Sequence, residues 1–277
     1  MKTKARQLVI AGLVLAMTSR RLQCADYRDG RNKPGHDQAP RVLSHATGPP
    51  EGPIRMNGLA SKALIRSLWF AALVGLLIIV PAGPGYWQGW LYWIVFLLCC
   101  LAVTLYFLRH DPALIERRMR PGGETEQSQK IIRVLLSLIL IPLFVLPGID
   151  YRYGWSHVPT VAVVVADAVL VLGFAIIFMT FKANSHASAI IDVAPDQRVV
   201  STGPYALVRH PMYLGAALLL VATPFALGSV WAIFFAILAI CCLVWRLLEE
   251  ERYLSQHLAG YDTYRRVTPY RLVPFIW

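Results

Sequence analysis

The sequence predicts an all-α integral membrane protein with about six transmembrane helices, five on the stricter count, the last two forming a C-terminal helical hairpin. Three observations carry this. Hydrophobic residues fill 56% of the 277 positions and charged residues 16%, with a mean hydropathy of +0.51, too little polar surface for a water-soluble domain to cover itself. The apolar residues fall in separate runs long enough to cross a bilayer core, which takes about 20 helical residues. The basic residues collect in alternate connections between those runs.

The runs lie at about Ala63–Ala82, Trp90–Leu108, Ile131–Gly148, Val158–Phe181, Tyr213–Leu227 and Val230–Leu248. The last two are separated by Gly228-Ser229, a tight turn that makes them the arms of a hairpin. Pro224 is placed to kink the first arm, which is short enough to tilt or re-enter, and this is the source of the five-span count.

Orientation follows from Lys and Arg. Arg55, Lys62 and Arg66 precede the first span; Arg109, Arg117, Arg118, Arg120 and Lys130 follow the second; Lys182, Arg198 and Arg209 follow the fourth; Arg252, Arg265, Arg266 and Arg271 follow the last. The alternate connections, 83–88 and 149–157, hold only Arg152. The positive-inside rule then puts both termini and both segments flanking the hairpin in the cytoplasm. Tyr86, Trp87, Trp90, Tyr92, Trp93, Tyr151, Tyr153 and Trp155 gather at the opposite side, as an interfacial aromatic belt does. The net charge of +11 is accounted for by these loops and by contact with anionic membrane lipids. Nucleic-acid binding is not expected, because no separate aromatic-interleaved basic domain exists.

Residues 1–55 differ from the rest. Lys2 to Arg6 and the apolar run from Leu8 to Met17 resemble the start of a signal peptide, but Arg20-Arg21 follows a short run, and a Gly/Pro/Arg/Asp-rich stretch without periodicity comes next. A disordered, dispensable extension is expected there, with the working chain starting near Met56. Residues 56–182 then form the first four spans and the acceptor-binding part, and 183–277 the functional loop, hairpin and tail. Cys99-Cys100 and Cys241-Cys242 lie in apolar runs, where neighbours on a helix diverge and cannot readily bridge, and are expected to be buried thiols. No ligand spacing indicates a metal, and none is expected.

Two polar constellations flank the hairpin. The segment Val200 to Gly215, VSTGPYALVRHPMYLG, cannot be one helix, because Pro204 and Pro211 lack a donor and bias their predecessors toward extended geometry. Pro211 suits the first position of the following helix, which would leave unpaired amides beside Arg209 and His210 as a site for an anionic group. The second constellation is Arg246, Glu249, Glu250 and Glu251. Three carboxylates near a helix C-terminus oppose the helix dipole and require a cationic partner, in the protein or in a ligand. Arg246 and Glu250 share a face at i, i+4, and an arginine at membrane depth is costly unless paired or functional.

From about Ala183 to Trp277 the chain resembles the isoprenylcysteine carboxyl methyltransferase family, in its bacterial branch, which is similar to phospholipid N-methyltransferases. The resemblance rests on GPY, RHPMYLG, the apolar hairpin, R-x-x-x-E-E and the tail GYDTYRRVTPYRLVPFIW. It implies an S-adenosylmethionine-dependent enzyme in the bacterial inner membrane with a cytoplasmic cofactor site. Gln197, Arg198, Val199, Val200, Tyr205, His210, Pro211, Met212 and Tyr213 would line the cofactor pocket, and Glu250 would hold the cofactor ammonium with Glu251 assisting. Gln197 departs from relatives that carry histidine there. Arg246 would face the acceptor, and Asn184 is a further candidate for substrate contact. If the acceptor is an amine, Glu251 or a tyrosine would accept its proton. The implied partner is a lipophilic acceptor, the carboxylate of an isoprenylcysteine-like molecule or a lipid amine, arriving through the bilayer; oligomeric state is not readable.

Other polar residues have competing roles. Ser185 and His186 could cap the fourth span or touch substrate, and Asp167 could pair across spans. Tyr261, Tyr264 and Arg265 would pack the tail over the site. Two other functions remain open: an NADPH-dependent membrane reductase, suggested by the RHP loop and the ending Tyr264 to Pro274, and a scaffold or small transporter. Glu249 to Glu251, where an aspartate-and-cysteine pattern would suit the reductase, favours methyl transfer. The gathering of ionisable residues at one membrane face disfavours a transporter.

Overall fold

The computed structural model describes residues 56–119, 127–185 and 199–277. The N-terminal segment expected to be disordered, Gln197, Arg198 and His186 lie outside them. Among the described residues every regular element is helical. The order is α1 (Met56–Ala82), α2 (Trp87–His110), α3 (Pro112–Met119), α4 (Gln127–Tyr153), α5 (Thr160–Ala183), a 3-10 turn (Gly203–Ala206), α6 (Pro211–Ala226), α7 (Ala232–His257) and α8 (Tyr261–Val267).

The chain is an all-α membrane protein. Helices α1, α2, α4 and α5 are each long and apolar enough to cross a bilayer, whereas α6 is a shorter apolar helix of 16 residues. Helix α7 has 26 residues, but its apolar part ends before Arg246 and its last turns carry Glu249 to Arg252. The six expected spans therefore resolve into four full-length ones and a hairpin, whose second arm runs on as a polar helix.

Local chemistry sets the boundaries. Asp111 ends α2, and its Oδ1 accepts the Leu114 amide at 3.0 Å, capping α3, which opens on Pro112. Pro211 opens α6 as expected. The hairpin turn closes with paired bonds, Gly228 N–H to Phe225 O at 3.0 Å and Ser229 N–H to Pro224 O at 2.8 Å, with Gly228 at φ 68°. This is a Schellman C-cap, which needs a left-handed residue at the Gly228 position and satisfies carbonyls that have no donor within the helix.

The hairpin docks closely on the front spans. A Cβ on Gly173 of α5 would fall 2.9 Å from the Gly215 carbonyl of α6, and one on Gly215 would fall 2.7 Å from the Gly173 carbonyl. Two glycines thus let the backbones touch, the usual means of helix association where lipid removes the hydrophobic drive. At the outer end, buried Asp150 closing α4 accepts hydrogen bonds from Ser156 and from Ser229 of the hairpin turn. The Tyr86 hydroxyl donates to the Leu227 carbonyl.

Two expectations need correction here. Tyr86 and Tyr92 are not belt residues: both are buried, because their hydroxyls find partners, Leu227 O for Tyr86 and Thr223 Oγ1 at 3.0 Å for Tyr92. Trp87, Trp90, Tyr151, Tyr153 and Trp155 are exposed, as a belt requires. Nor are all the thiols buried. The described cysteines are free, Cys242 faces the interior and Cys241 is exposed, since consecutive helix positions point about 100° apart.

Candidate functional site

The two polar constellations, some 40 residues apart in sequence, meet at the end of the hairpin away from the Gly228 turn. They form two adjoining clusters, one around Glu251 and one around Glu250.

Glu251 is 5% exposed and sits among two guanidinium groups and an imidazole. Arg271 Nε donates to Oε2 at 2.8 Å, while Arg209 Nε and His210 Nε2 approach Oε1 at 2.9 and 3.4 Å. Neither of these two contacts is a formed hydrogen bond: Arg209 is ion-paired with Glu251, and the His210 ring makes a close polar approach to the same oxygen. Burial pushes the Glu251 carboxyl upward, but His210, Arg271 and Arg209 outweigh it and hold its pKa at about 2. Glu251 lies past the apolar part of α7. The anion expected beside the start of α6 is thus supplied by the protein itself.

The tail completes this cluster. The backbone amides of Arg209 and His210 donate to the carbonyls of Tyr270 and Arg271 at 2.9 and 3.0 Å, so the tail runs beside the RHP segment as a short strap. Arg271 guanidinium also lies over the Trp277 ring, 5.3 Å from its centroid. Nothing near Arg271 in sequence marks it as a partner of Glu251, and it was not anticipated.

Glu250 has a different setting. It is half-buried, and its Oε2 accepts from the Tyr213 hydroxyl at 2.5 Å. Arg246, one turn earlier on α7, also acts on that hydroxyl. The His210 ring packs edge-on against Tyr213 at 5.7 Å, joining the two clusters. Met212, next to Tyr213, packs both with Tyr213, Leu243 and Leu247 and with Phe107, Leu114 and Phe181.

A second wall comes from the 3-10 turn and the end of α5. Asn184 closes α5 and its Nδ2 donates to the Tyr205 hydroxyl at 3.3 Å. The Tyr264 hydroxyl donates to the Tyr205 carbonyl at 2.7 Å, fixing the turn to α8. Burial raises the Tyr205 hydroxyl's pKa, the Asn184 bond lowers it, and the charge of Glu250 raises it again, which puts Tyr205 within the field of that carboxylate. Val199 packs with Tyr205, Leu258, Tyr261 and Tyr264, and Val200 is half-exposed beside it.

The structure therefore brings Asn184, Val199, Tyr205, His210, Pro211, Met212, Tyr213, Arg246, Glu250 and Glu251 to one end of the hairpin. The donor set fits an amino-acid cofactor such as S-adenosylmethionine. A carboxylate can take several donors, and at half-buried Glu250 the Tyr213 hydroxyl donates to Oε2. The Tyr261 hydroxyl is buried in the same field, coupled to Glu251, Arg209 and Glu250, with no hydrogen-bond partner among the described residues. A buried orphan hydroxyl beside a half-open carboxylate is what a polar ligand would complete.

The fold and these clusters define an all-α membrane protein whose ionisable side chains pair across one end of the hairpin. Residues 161–260, spanning most of α5, the RHP segment and the hairpin, match the phospholipid methyltransferase family, which is shared with isoprenylcysteine carboxyl methyltransferases. This match supports a membrane methyltransferase. No curated protein matches the chain.

Proposed function

We propose that the protein is an S-adenosylmethionine-dependent methyltransferase of the bacterial inner membrane, with both termini cytoplasmic, acting on a lipophilic acceptor that reaches Arg246 from the bilayer. The observation that carries this reading is the pairing of Tyr213 with Glu250 at 2.5 Å, beside Arg246, between the hairpin arms. It supports a reading in which one carboxylate and one guanidinium would meet a water-soluble donor and a membrane-borne acceptor.

The cofactor, when bound, supplies an activated methyl group on a sulfonium. Such a displacement needs alignment and a suitable field more than acid or base help, so the protein's part is chiefly positional. Glu250 would hold the donor's ammonium, with Tyr213 fixing the carboxylate's rotamer. The Tyr261 and Tyr205 hydroxyls and the backbone at Val199 and Val200 would line the remainder, and Gln197 and Arg198 belong to the same segment. Arg246, tied to the same hydroxyl and one turn toward the membrane, would orient an acceptor carboxylate. Glu251, held near pKa 2 by its cationic neighbours, is a poor proton acceptor at neutral pH. The geometry instead gives it the task of locking Arg209, His210 and Arg271 in place.

The test is donor binding to detergent-purified protein by calorimetry, with S-adenosylmethionine and NADPH measured in parallel. The expected result is binding of S-adenosylmethionine alone, weakened about 10- to 100-fold by Glu250→Ala, the usual range for losing a charge-assisted bond. His210→Ala should weaken it less. Binding of NADPH alone, or S-adenosylmethionine binding indifferent to both substitutions, would overturn the proposal.

A further inference from the structure

Helix α3 lies outside the hairpin and outside the matched residues, yet it sends two arginines toward the site. It is short, with Leu114 buried and Arg117 and Arg118 in its last turn. A solvated cytoplasmic face is the ordinary place for such residues. Neither side chain behaves that way. Arg117 Nη2 donates to the Ser185 carbonyl at 2.6 Å, reaching across to the end of α5. Arg118 lies over the Phe181 ring, 4.4 Å from its centroid, and burial lowers its pKa to about 10.

Arg118 stands near the second wall of the site. Phe181 is one turn before Asn184 on α5, and Asn184 donates to Tyr205 at 3.3 Å. The charges of both Arg118 and Glu250 reach the Tyr205 hydroxyl. Met212 packs against Leu114 and Phe181 on one side and beside Tyr213 on the other. A guanidinium and the Glu250 carboxylate thus both act on the Tyr205 hydroxyl, and Met212 packs beside the elements that carry them. A ligand with an ammonium and a carboxylate on one carbon presents this pair of charges.

We infer that Arg118 binds the carboxylate of the donor's amino-acid end, opposite Glu250, which takes its ammonium. This rests on the proposed methyltransferase reading and adds the second half of zwitterion recognition. A guanidinium stacked on an aromatic ring is oriented in advance and less strongly hydrated than an ammonium, so it engages a carboxylate with little rearrangement. Using both charges would let the site reject amines and nucleosides that share only one feature with the donor.

The test compares two ligands on two proteins. Calorimetry on the full-length protein in detergent would measure S-adenosylmethionine and decarboxylated S-adenosylmethionine against wild type and Arg118→Gln. Wild type should bind the decarboxylated ligand about 10- to 100-fold more weakly than the intact one. Arg118→Gln should bind the intact ligand more weakly by a similar factor and leave the decarboxylated one within about twofold, the signature of a direct pair in a double-mutant cycle. Equal loss for both ligands, or no loss for either, overturns the inference. A weakened affinity for the lipid acceptor alone does so too, since it assigns Arg118 to the acceptor. If Arg118→Gln binds neither ligand, Arg118→Lys decides: selective weakening of the intact ligand supports the pairing, and equal or no weakening overturns it. A wild type that binds neither ligand overturns the methyltransferase reading and this inference with it.

Discussion

Glu250 and Glu251 are chain neighbours with opposite environments, one half-open against a tyrosine and one enclosed by Arg209, His210 and Arg271. Because the Glu251 pKa is held below its ordinary value, at about 2, its contribution to stability is full above the unfolded carboxyl pKa. That contribution is lost as pH falls through the folded one. Thermal unfolding in detergent should therefore be flat above about pH 5 from this group and decline between about 4.5 and 2, a loss of roughly 3 kcal/mol. Glu251→Gln should be less stable at pH 7 and should flatten that decline; an unchanged acid limb would contradict the account. Tyr213→Phe frees the Glu250 rotamer while keeping the ring, and is expected to lower kcat/KM about tenfold with little change in stability. The residues of the RHP segment and the two glutamates were readable from sequence, because each is anomalous where it stands: prolines in a near-apolar stretch, carboxylates at the wrong end of a dipole. Arg271 was not readable, since its partner is 20 residues away and nothing local distinguishes it from other tail arginines.

The hairpin is held at both ends by different physics. Near the start of α6, Gly173 and Gly215 bring α5 and α6 into backbone contact, and Gly173→Leu should drive these two helices apart at a cost of about 1–3 kcal/mol. Thermal stability in detergent should fall accordingly, with donor affinity falling alongside. Gly58→Ala, in α1 with open space around it, is the control expected to be neutral or slightly stabilising. At the outer end, Gly228 at φ 68° tolerates no Cβ cheaply, and Gly228→Ala should cost about 1 kcal/mol. The sequence announced this turn through Gly228-Ser229 and announced the start of α6 through Pro211. It did not announce the Asp150 link to Ser229, 79 residues along the chain, nor that Tyr86 and Tyr92 would be drawn inward. Aromatic enrichment shows where a membrane surface lies, but whether a particular hydroxyl finds an interior partner depends on helix packing that no local pattern encodes.

Across the whole chain, the alternation of basic and non-basic connections puts the site and the tail on one side and Tyr153 on the other. In a cysteine-free background, a cysteine at Tyr153 should react with a membrane-impermeant maleimide added to intact cells, and one at Arg266 only after permeabilisation. The reverse pattern would invert the topology. Four full spans were legible as apolar length, and the hairpin arms α6 and α7 as the apolar runs on either side of Gly228-Ser229. The strap formed by residues 270 and 271 against Arg209 and His210 also has a consequence in time. Synthesis at about 5–20 residues per second separates Glu251 from Arg271 by roughly one to four seconds. During that interval both hairpin arms are already made while the carboxylate lacks the Arg271 guanidinium and two backbone amides lack acceptors. The Glu251 cluster is thus completed only once the tail has folded back beside the RHP segment.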